Sequence, residues 1–191
     1  MSEDELAHRA FQDAGELSEW LAEHGPVRRE LWVRIYKVGA GVPSVTWLDC
    51  VVEAIRFGWI DGQKKPLDAR SFLQRLTPRK AGSNWSAKNR EYAVKLIADG
   101  RMTPAGLAQI DAAKADGRWE RAYAGSAEMT IPQDFLDALD KLPAAKTFFG
   151  TLDRRNLYPI YYRLHTAKRP ETRARRMDQI LAQLARGERF H

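Results

Sequence analysis

Residues 46–58 constrain the fold more than any other part of the sequence. Thr46 is a typical N-cap, and Asp49 three positions later completes a capping box that satisfies free N–H groups at a helix start. Apolar residues then recur at the i, i+3, i+4, i+7 spacing of a core-facing helix, namely Leu48, Val51, Val52 and Ile55. Gly58 stands where a left-handed residue often ends a helix. This stretch therefore predicts one amphipathic helix with both ends defined.

Three segments near this helix predict strands. Residues 31–37 alternate and are rich in β-formers, and residues 59–64 and 71–77 have the same character, with a turn over 66–70. We expect a small, mostly antiparallel sheet of three strands.

Helices are predicted before and after the strands in the sequence. The first covers residues 5–24, and all elements that follow the strand over 71–77 are predicted to be helical. Their expected starts are Ser86, Thr103 with Pro104, Pro132, Pro143, Thr151 and Pro170. Pro159 should kink or split the helix that contains it. The fold class is therefore α+β, with an α+β domain over 1–125 and a helical C-terminal portion over 126–191 packed on it.

The charge is distributed in blocks. The net charge is +6 overall, −4 over residues 1–58, +6 over 59–101, −3 over 102–153 and +7 over 154–191. Two basic blocks that meet in the fold would attract a small anionic ligand or nucleic acid. Solvated arginines on an ordinary surface are the alternative.

Several functional classes lack support in the sequence. The four histidines and the single cysteine show no metal-ligand spacing, and no nucleotide or nucleophile motif is present, so we expect no metal and no cofactor. Cys50 lies among apolar residues and is expected to be inert. No apolar run is long enough to span a membrane, and the acidic start of the chain does not resemble a signal peptide, so we expect a cytoplasmic protein.

Asp61 is the candidate for acid–base chemistry. It follows Trp59 and Ile60 and precedes Lys64, which could keep the carboxylate ionised. The alternative is structural, since an Asp-Gly pair often marks a bend.

Polar and aromatic side chains continue over the next 30 residues. Strand alternation predicts Arg75, Thr77 and Arg79 on one face of the sheet, where they could grip an anion, and Gln74 on the other. The sequence Asn84-Trp85-Ser86, followed by Asn89, marks a helix start whose free N–H groups suit an anion. A solvated strand face and plain helix capping are the alternatives.

The C-terminal block mixes tyrosines with cations, a composition that suits stacking and phosphate contact. A solvated helix face over a tyrosine core is the alternative. The residues are Tyr158, Tyr161, Tyr162, Arg163, Thr166, Lys168, Arg169, Arg173 and Arg176.

Several ordered motifs resemble the bacterial YdeI/OmpD-associated family, which is also labelled bacteriocin-protection or OmdA. They are Trp-Ile-Asp-Gly-Gln-Lys-Lys at 59–65, Gln-Arg-Leu-Thr-Pro-Arg at 74–79, Asn-Trp-Ser at 84–86, Gly-Arg-Met-Thr-Pro-Ala-Gly at 100–106, Asp-Gly-Arg-Trp at 116–119 and Thr-Ala-Lys-Arg-Pro-Glu-Thr-Arg at 166–173. The resemblance covers roughly residues 30 to 187. It implies an α+β domain with a helical C-terminal portion and a link to bacteriocin or envelope-stress protection. It brings no catalytic residues.

Three functional hypotheses follow. The first is a protein that binds an anionic ligand in a basic aromatic pocket, completed by the segment 168–176. The second is an enzyme of unknown reaction on a small anionic substrate, with Asp61 as acid or base. The third is a nucleic-acid-binding or protein-interaction module, and full burial of Trp59 and Trp85 would support a purely structural role for these tryptophans. The predicted ligand-binding residues are Trp59, Asp61, Lys64, Gln74, Arg75, Thr77, Arg79, Trp85, Ser86, Asn89 and Arg90.

Overall fold

The computed structural model describes residues 8–190 and divides the chain into two compact units, with the boundary between Arg121 and Ala122. In the described part of the first unit, a sheet and four helices follow one another as β1 (His8–Ala10), α1 (Ala14–His24), β2 (Leu31–Tyr36), α2 (Trp47–Arg56), β3 (Trp59–Pro66), β4 (Ser71–Pro78), α3 (Ala87–Ala98) and α4 (Pro104–Ala115). The second unit contains α5 (Gln133–Leu139), α6 (Pro143–Phe149), α7 (Arg154–His165) and α8 (Pro170–Ala185).

The sheet of the described residues has four strands in the order β1-β2-β4-β3 and is mixed. The α+β class is confirmed, but the prediction of three mostly antiparallel strands is wrong, because β1 runs parallel to β2 at the edge. The remaining pairs are antiparallel. A three-residue edge strand has too little alternation to be recognised, since only its pairing with β2 defines it.

The first predicted helix is wrong at its beginning. Residues 8–10 form β1, and α1 begins at Ala14, because the Asp13 side chain accepts a hydrogen bond from the backbone N–H of Glu16 and caps the helix there. Residues 5–7 of that prediction lie outside the described residues.

Helices α1 and α2 cover one face of the sheet. The capping box of Thr46 and Asp49 is confirmed, and Gly58 has a φ of 75°. Val51 and Ile55 of the predicted apolar stripe are buried, whereas Leu48 is 43% exposed. The helix also buries Cys50, Glu53 and Ala54.

The register of β3 and β4 determines where the polar side chains project. Asp61 lies opposite Leu76, and Lys64 lies opposite Gln74, with an irregularity in β3 between these pairs. On β2, Trp32 lies opposite Arg75. The irregularity between Asp61 and Lys64 is typical of a β-bulge, which changes the direction of the side chains beside it.

The second unit has its own apolar core, which includes Phe135, Ile160, Leu164 and Ile180. Helix α7 is continuous from 154 to 165 although it contains Pro159, so the proline does not split it. Its N-cap is Asp153 rather than the predicted Thr151, because the Asp153 carboxylate accepts from the backbone N–H of Asn156. Between residues 8 and 190, no helix combines the length and apolar character that crossing a lipid bilayer requires.

Candidate functional site

The sheet separates Asp61 from Arg75. Asp61 shares its register position with Leu76, which is fully buried in the core beside α1 and α2. Successive side chains of a strand point to opposite faces, so Arg75 projects from the other face. The structure therefore does not bring Asp61 and Arg75 into one pocket.

Arg75 is engaged on its own face of the sheet. Its Nη2 lies 2.5 Å from Glu30 Oε2, and the indole N–H of Trp32 donates to the same carboxylate. These hydrogen bonds, the one from Arg75 foremost, lower the pKa of Glu30. Lys65 completes the group, with Nζ 4.7 Å from the centre of the Trp32 ring. Arg75 thus neutralises an acidic neighbour within the protein.

Arg79 and Arg90 flank a pair of tryptophans. The Arg79 guanidinium carbon lies 3.7 Å from the centre of the Trp85 ring, and Trp85 contacts Trp119 edge to face with ring centres 5.0 Å apart. Arg90 donates from Nη1 to the Trp119 carbonyl at 2.8 Å and lies 5.5 Å from the centre of that ring. Arg79 is 6% and Trp85 1% exposed, so this arrangement is internal.

Trp59 is also part of the core. It is buried and contacts Trp20 edge to face, with ring centres 6.4 Å apart. Burial of both Trp59 and Trp85 supports the interpretation in which the tryptophans of these motifs have a structural role. A ligand contact by either ring remains a sequence-based prediction.

Four further predicted residues, Gln74, Thr77, Ser86 and Asn89, take part in local hydrogen bonds or strand pairing. Gln74 is buried, and its amide nitrogen donates to the carbonyls of Gly62 at 3.0 Å and of Arg75 at 3.2 Å, beside the irregularity in β3. Ser86 caps α3 by accepting from the backbone N–H of Asn89 at 3.0 Å. Thr77 lies opposite Ile60 in the sheet.

An open groove of about 700 Å³ lies at one end of the sheet, between the segment that connects β2 to α2 and the start of β4. Its lining is mainly apolar and includes Trp47, 47% exposed, and Val42, 39% exposed. The lining residues are Ile35, Tyr36, Lys37, Val38, Gly39, Gly41, Val42, Pro43, Ser44, Val45, Thr46, Trp47 and Phe72.

Hydrogen bonds between side chains and the backbone hold the loop side of this groove. Ser44 Oγ accepts from the Tyr36 N–H at 3.0 Å, and Lys37 Nζ donates to the Ala69 carbonyl at 2.9 Å. The Arg70 guanidinium donates to the Ala40 carbonyl. The first bond ties the loop to β2, and the other two tie it to the β3–β4 turn.

Two of the predicted site residues border the groove. The Lys64 ammonium lies 3.9 Å from the centre of the Phe72 ring, within cation–π range. The indole N–H of Trp47 donates a hydrogen bond to the Asp61 carboxylate. Burial raises the pKa of Asp61, and its backbone hydrogen bond, the Arg79 charge and the Trp47 hydrogen bond oppose that rise. The groove therefore has a cation at one aromatic wall and a weakly acidic carboxyl group behind the other.

Sequence reasoning missed Trp47 and Phe72. Trp47 is the first residue of α2 and directly follows the N-cap Thr46. A glycine-rich loop precedes this helix. A large aromatic residue at the first position of a helix after a Gly-Pro loop was the available signal. Phe72 offered none, because its strand also buries Leu73 and Leu76.

Possible metal-binding side chains and the one cysteine are two further features of the described residues. Among residues 8–190, no group of three or more His, Cys, Asp or Glu side chains could hold a metal ion. Cys50 is fully buried, and burial raises the pKa of its thiol to about 12. A thiol with that pKa stays protonated near neutral pH and is a poor nucleophile.

Comparisons with known families give two matches. Residues 9–109 match the family described as Domain of unknown function (DUF8412), and residues 128–187 match the family described as Bacteriocin-protection, YdeI or OmpD-Associated. The second match confirms the family resemblance, although only over the C-terminal segment, since the motifs at 59–106 fall in the first match. No curated protein and no solved structure matches the chain.

Proposed function

This chain belongs to the DUF8412 family and carries a C-terminal segment of the bacteriocin-protection, YdeI or OmpD-associated family, and from this premise we propose that it binds a small amphipathic anion in the Trp47–Phe72 groove. This groove lies between the β2–α2 segment and the start of β4. The observation that carries the proposal is the position of the Lys64 ammonium, 3.9 Å from the centre of the Phe72 ring.

The size and lining of the groove support a small ligand. Its volume of about 700 Å³ lies within the roughly 300–1,000 Å³ of typical ligand pockets, which are mostly apolar with a few placed polar groups. Val42 and Trp47 expose apolar surface there. Covering that surface with the apolar body of a ligand would remove it from water.

The charge at the groove favours an anionic group on the ligand. Lys64 is exposed, and among the described residues no carboxylate lies within ion-pair distance of its ammonium. A ligand carboxylate could therefore meet a cation without displacing an internal partner.

Fluorescence titration tests the proposal, because Trp47 is exposed whereas the other five tryptophans are each less than 10% exposed. The probes are decanoate, decanol and decyltrimethylammonium, which share one chain and differ in charge. We expect a saturable change in emission with decanoate, and about tenfold weaker binding of decanoate to Lys64→Gln, from loss of one charged contact.

Lys65→Gln is the matched control, because Lys65 is the next residue but lies over Trp32 on the opposite face of the sheet. It should keep decanoate affinity within about twofold. Equal binding of all three probes, or equal weakening by both substitutions, would contradict a specific anion site.

A second candidate function is an enzyme that uses Asp61 as acid or base. The supporting observation is that burial raises the pKa of Asp61 next to a groove residue, as catalytic carboxyl groups often require. The two candidates separate on Asp61→Asn. In a binding protein this change leaves decanoate affinity within about threefold, whereas in an enzyme it abolishes turnover of any substrate that a screen of small anions reveals.

The name of the C-terminal family concerns bacteriocin protection, and we extend that role to this chain as a proposal. Cells of the source organism that lack the gene are then expected to survive a bacteriocin challenge less well than cells that carry it. Restoring the wild-type gene should reverse the defect. Equal survival with and without the gene would remove this part of the proposal and leave ligand binding untouched.

A further inference from the structure

A second cavity, of about 370 Å³, lies between α7 and α8 of the C-terminal unit. It is separate from the Trp47–Phe72 groove, and its lining carries donors of several kinds. The lining residues are Tyr162, Arg163, Thr166, Arg176, Gln179 and Ile180. Two guanidinium groups, two hydroxyl groups and one amide therefore surround a volume that would hold a phosphate group and part of what it is attached to.

The cationic side chains of this cavity are not neutralised by internal acids. Among the described residues, no carboxylate lies within ion-pair distance of Arg163 or Arg176, whereas Arg173 on the same helix pairs with Asp134. Asp178 follows Arg176 by two positions, about 200° around the helix at roughly 100° per residue. The acidic residue of α8 nearest in sequence thus projects away from the cavity.

The end of α7 does not oppose an anion at this place. Carbonyl groups at a helix C-terminus carry partial negative charge. Here Arg176 Nη1 donates to the Arg163 carbonyl at 2.7 Å, and Thr166 Oγ1 donates to the Tyr162 carbonyl at 2.6 Å. These two bonds satisfy two of the carbonyl groups at the end of α7 and hold the Arg176 guanidinium, which has further N–H groups to offer.

Aromatic rings lead into the cavity along α7. Tyr158 and Tyr162 are half-buried, with ring centres 6.2 Å apart, and Tyr162 is held edge to face by Tyr123 at 5.0 Å. Residues 155, 158, 162 and 166 follow helical spacing, so Arg155, the two tyrosines and Thr166 form one row. Such a row of aromatic and cationic side chains is suited to stacking a base beside a bound phosphate.

We propose that the α7–α8 cavity binds the phosphate group of a nucleotide unit, with Arg163 and Arg176 contacting the phosphate oxygens and the tyrosine row contacting the base. Arginine suits this task because its planar donor fork matches phosphate oxygens. The same unit could come from a free nucleotide or from a single strand of nucleic acid, and the two sources share this chemistry. The proposal is independent of the function proposed for the first unit.

The test uses the full chain and three probes: thymidine, thymidine monophosphate and a fluorescein-labelled single-stranded oligothymidylate of about 12 nucleotides. Fluorescence anisotropy measures binding of the labelled strand directly. Competition with that strand measures binding of thymidine and of thymidine monophosphate. Thymidine should not compete. Competition by thymidine monophosphate supports a site for a free nucleotide, and binding of the strand without such competition supports nucleic acid as the source.

Substitutions separate the cavity from general charge attraction. Arg176→Gln or Arg163→Gln should weaken binding by about tenfold, the effect of losing a charged hydrogen-bonded contact. Arg175→Gln is the control, because Arg175 is next to Arg176 in the sequence but does not line the cavity. It removes the same charge and should change affinity by less than about twofold. Circular dichroism checks that each variant keeps its helices, and Arg163→Gln serves if Arg176→Gln unfolds, because Arg163 is exposed.

Two results would overturn the proposal. One is the absence of binding by the wild-type chain to both phosphate probes at about 50 mM salt, where phosphate contacts are strongest. The other is equal weakening by Arg163→Gln, Arg175→Gln and the well-folded Arg176→Gln, which would show attraction to overall charge only.

Discussion

The guanidinium carbon of Arg79 lies 3.7 Å from the centre of the Trp85 ring, and both residues are buried. Arg79 Nη1 also donates to the Asn84 carbonyl at 3.2 Å. Arg79, the residue after β4, therefore anchors the loop before α3. It acts as a structural link in the molecule, at a position where sequence reasoning expected a ligand contact.

Replacing Arg79 should cost substantial stability. Arg79→Ala removes a desolvated cation–π contact and a charged hydrogen bond, so we expect a loss of about 3 kcal/mol in the free energy of unfolding. Arg79→Lys should cost about 1–2 kcal/mol, because lysine lacks the planar group that stacks on an indole. Urea denaturation measures both, with the exposed neighbour change Lys80→Ala as the control. A loss of under about 0.5 kcal/mol for Arg79→Ala would show that this contact does not stabilise the fold.

Glu53 is a buried acid held by two arginines. It is 2% exposed, with Arg101 Nη2 at 2.8 Å and Arg56 Nη1 at 3.1 Å from its carboxylate oxygens. Removing both partners with Arg56→Ala and Arg101→Ala leaves a buried charge and should cost about 3–5 kcal/mol. Adding Glu53→Leu to that double variant should restore part of the loss. No recovery in urea denaturation would argue that the arginines act by packing rather than by charge.

Stability should depend on pH through Asp61. Its pKa in the folded protein is raised above the ordinary value of 3.8, chiefly by burial. The folded state then binds the proton more tightly than the unfolded state, so this group lowers stability as the pH rises through its folded-state pKa. Asp61→Asn removes that dependence.

Urea denaturation between about pH 3 and pH 7 measures this effect. The free energy of unfolding of Asp61→Asn, relative to wild type, should increase with pH over the lower part of this range and then level off. A difference that decreases with pH would mean that the backbone hydrogen bond, the Arg79 charge and the Trp47 hydrogen bond together outweigh burial.

Cys50 should be unreactive in the native protein. Its side chain is fully buried and its pKa is raised to about 12. At about pH 8 we expect an aromatic disulfide reagent to modify it at least about 100-fold more slowly than in the urea-unfolded chain. Equal rates under the two conditions would show that the core around α2 opens readily.

Gly58 and Gly39 offer a matched pair of glycines with positive φ, 75° and 87°. A Cβ at Gly58 would lie 2.7 Å from the Ala105 carbonyl oxygen, whereas one at Gly39 meets no atom within 4 Å. Gly39→Ala should therefore cost about 1–2 kcal/mol, the price of the left-handed backbone alone. Gly58→Ala should cost at least about 1 kcal/mol more, because α4 must also move. Thermal and urea unfolding compare them, and equal losses would show that the Ala105 contact relaxes freely.

Helix starts were the most predictable part of this chain. The N-caps at Thr46, Ser86 and Thr103 are all confirmed, because a cap and its partner are within three residues and depend on local geometry. Strand β1 was missed, since three residues become a strand only through pairing with β2.

The candidate site was less predictable than the fold. The sequence placed Lys64 and Asp61 among the candidates, and both border the Trp47–Phe72 groove. It could not show that Arg75 projects from the opposite face and pairs with Glu30, because that depends on strand register and on a partner 45 positions away.

The sequence by itself determined the α+β class, the capped helices and the blocks of charge, because these follow from residue type and short-range spacing. Only the tertiary structure decided which cations are internal and which face open space. Burying an indole under a guanidinium, as at Trp85 and Arg79, requires contacts across a turn and a helix start. The open groove, in turn, exists because the loop after β2 and the start of α2 meet strands β2 and β4.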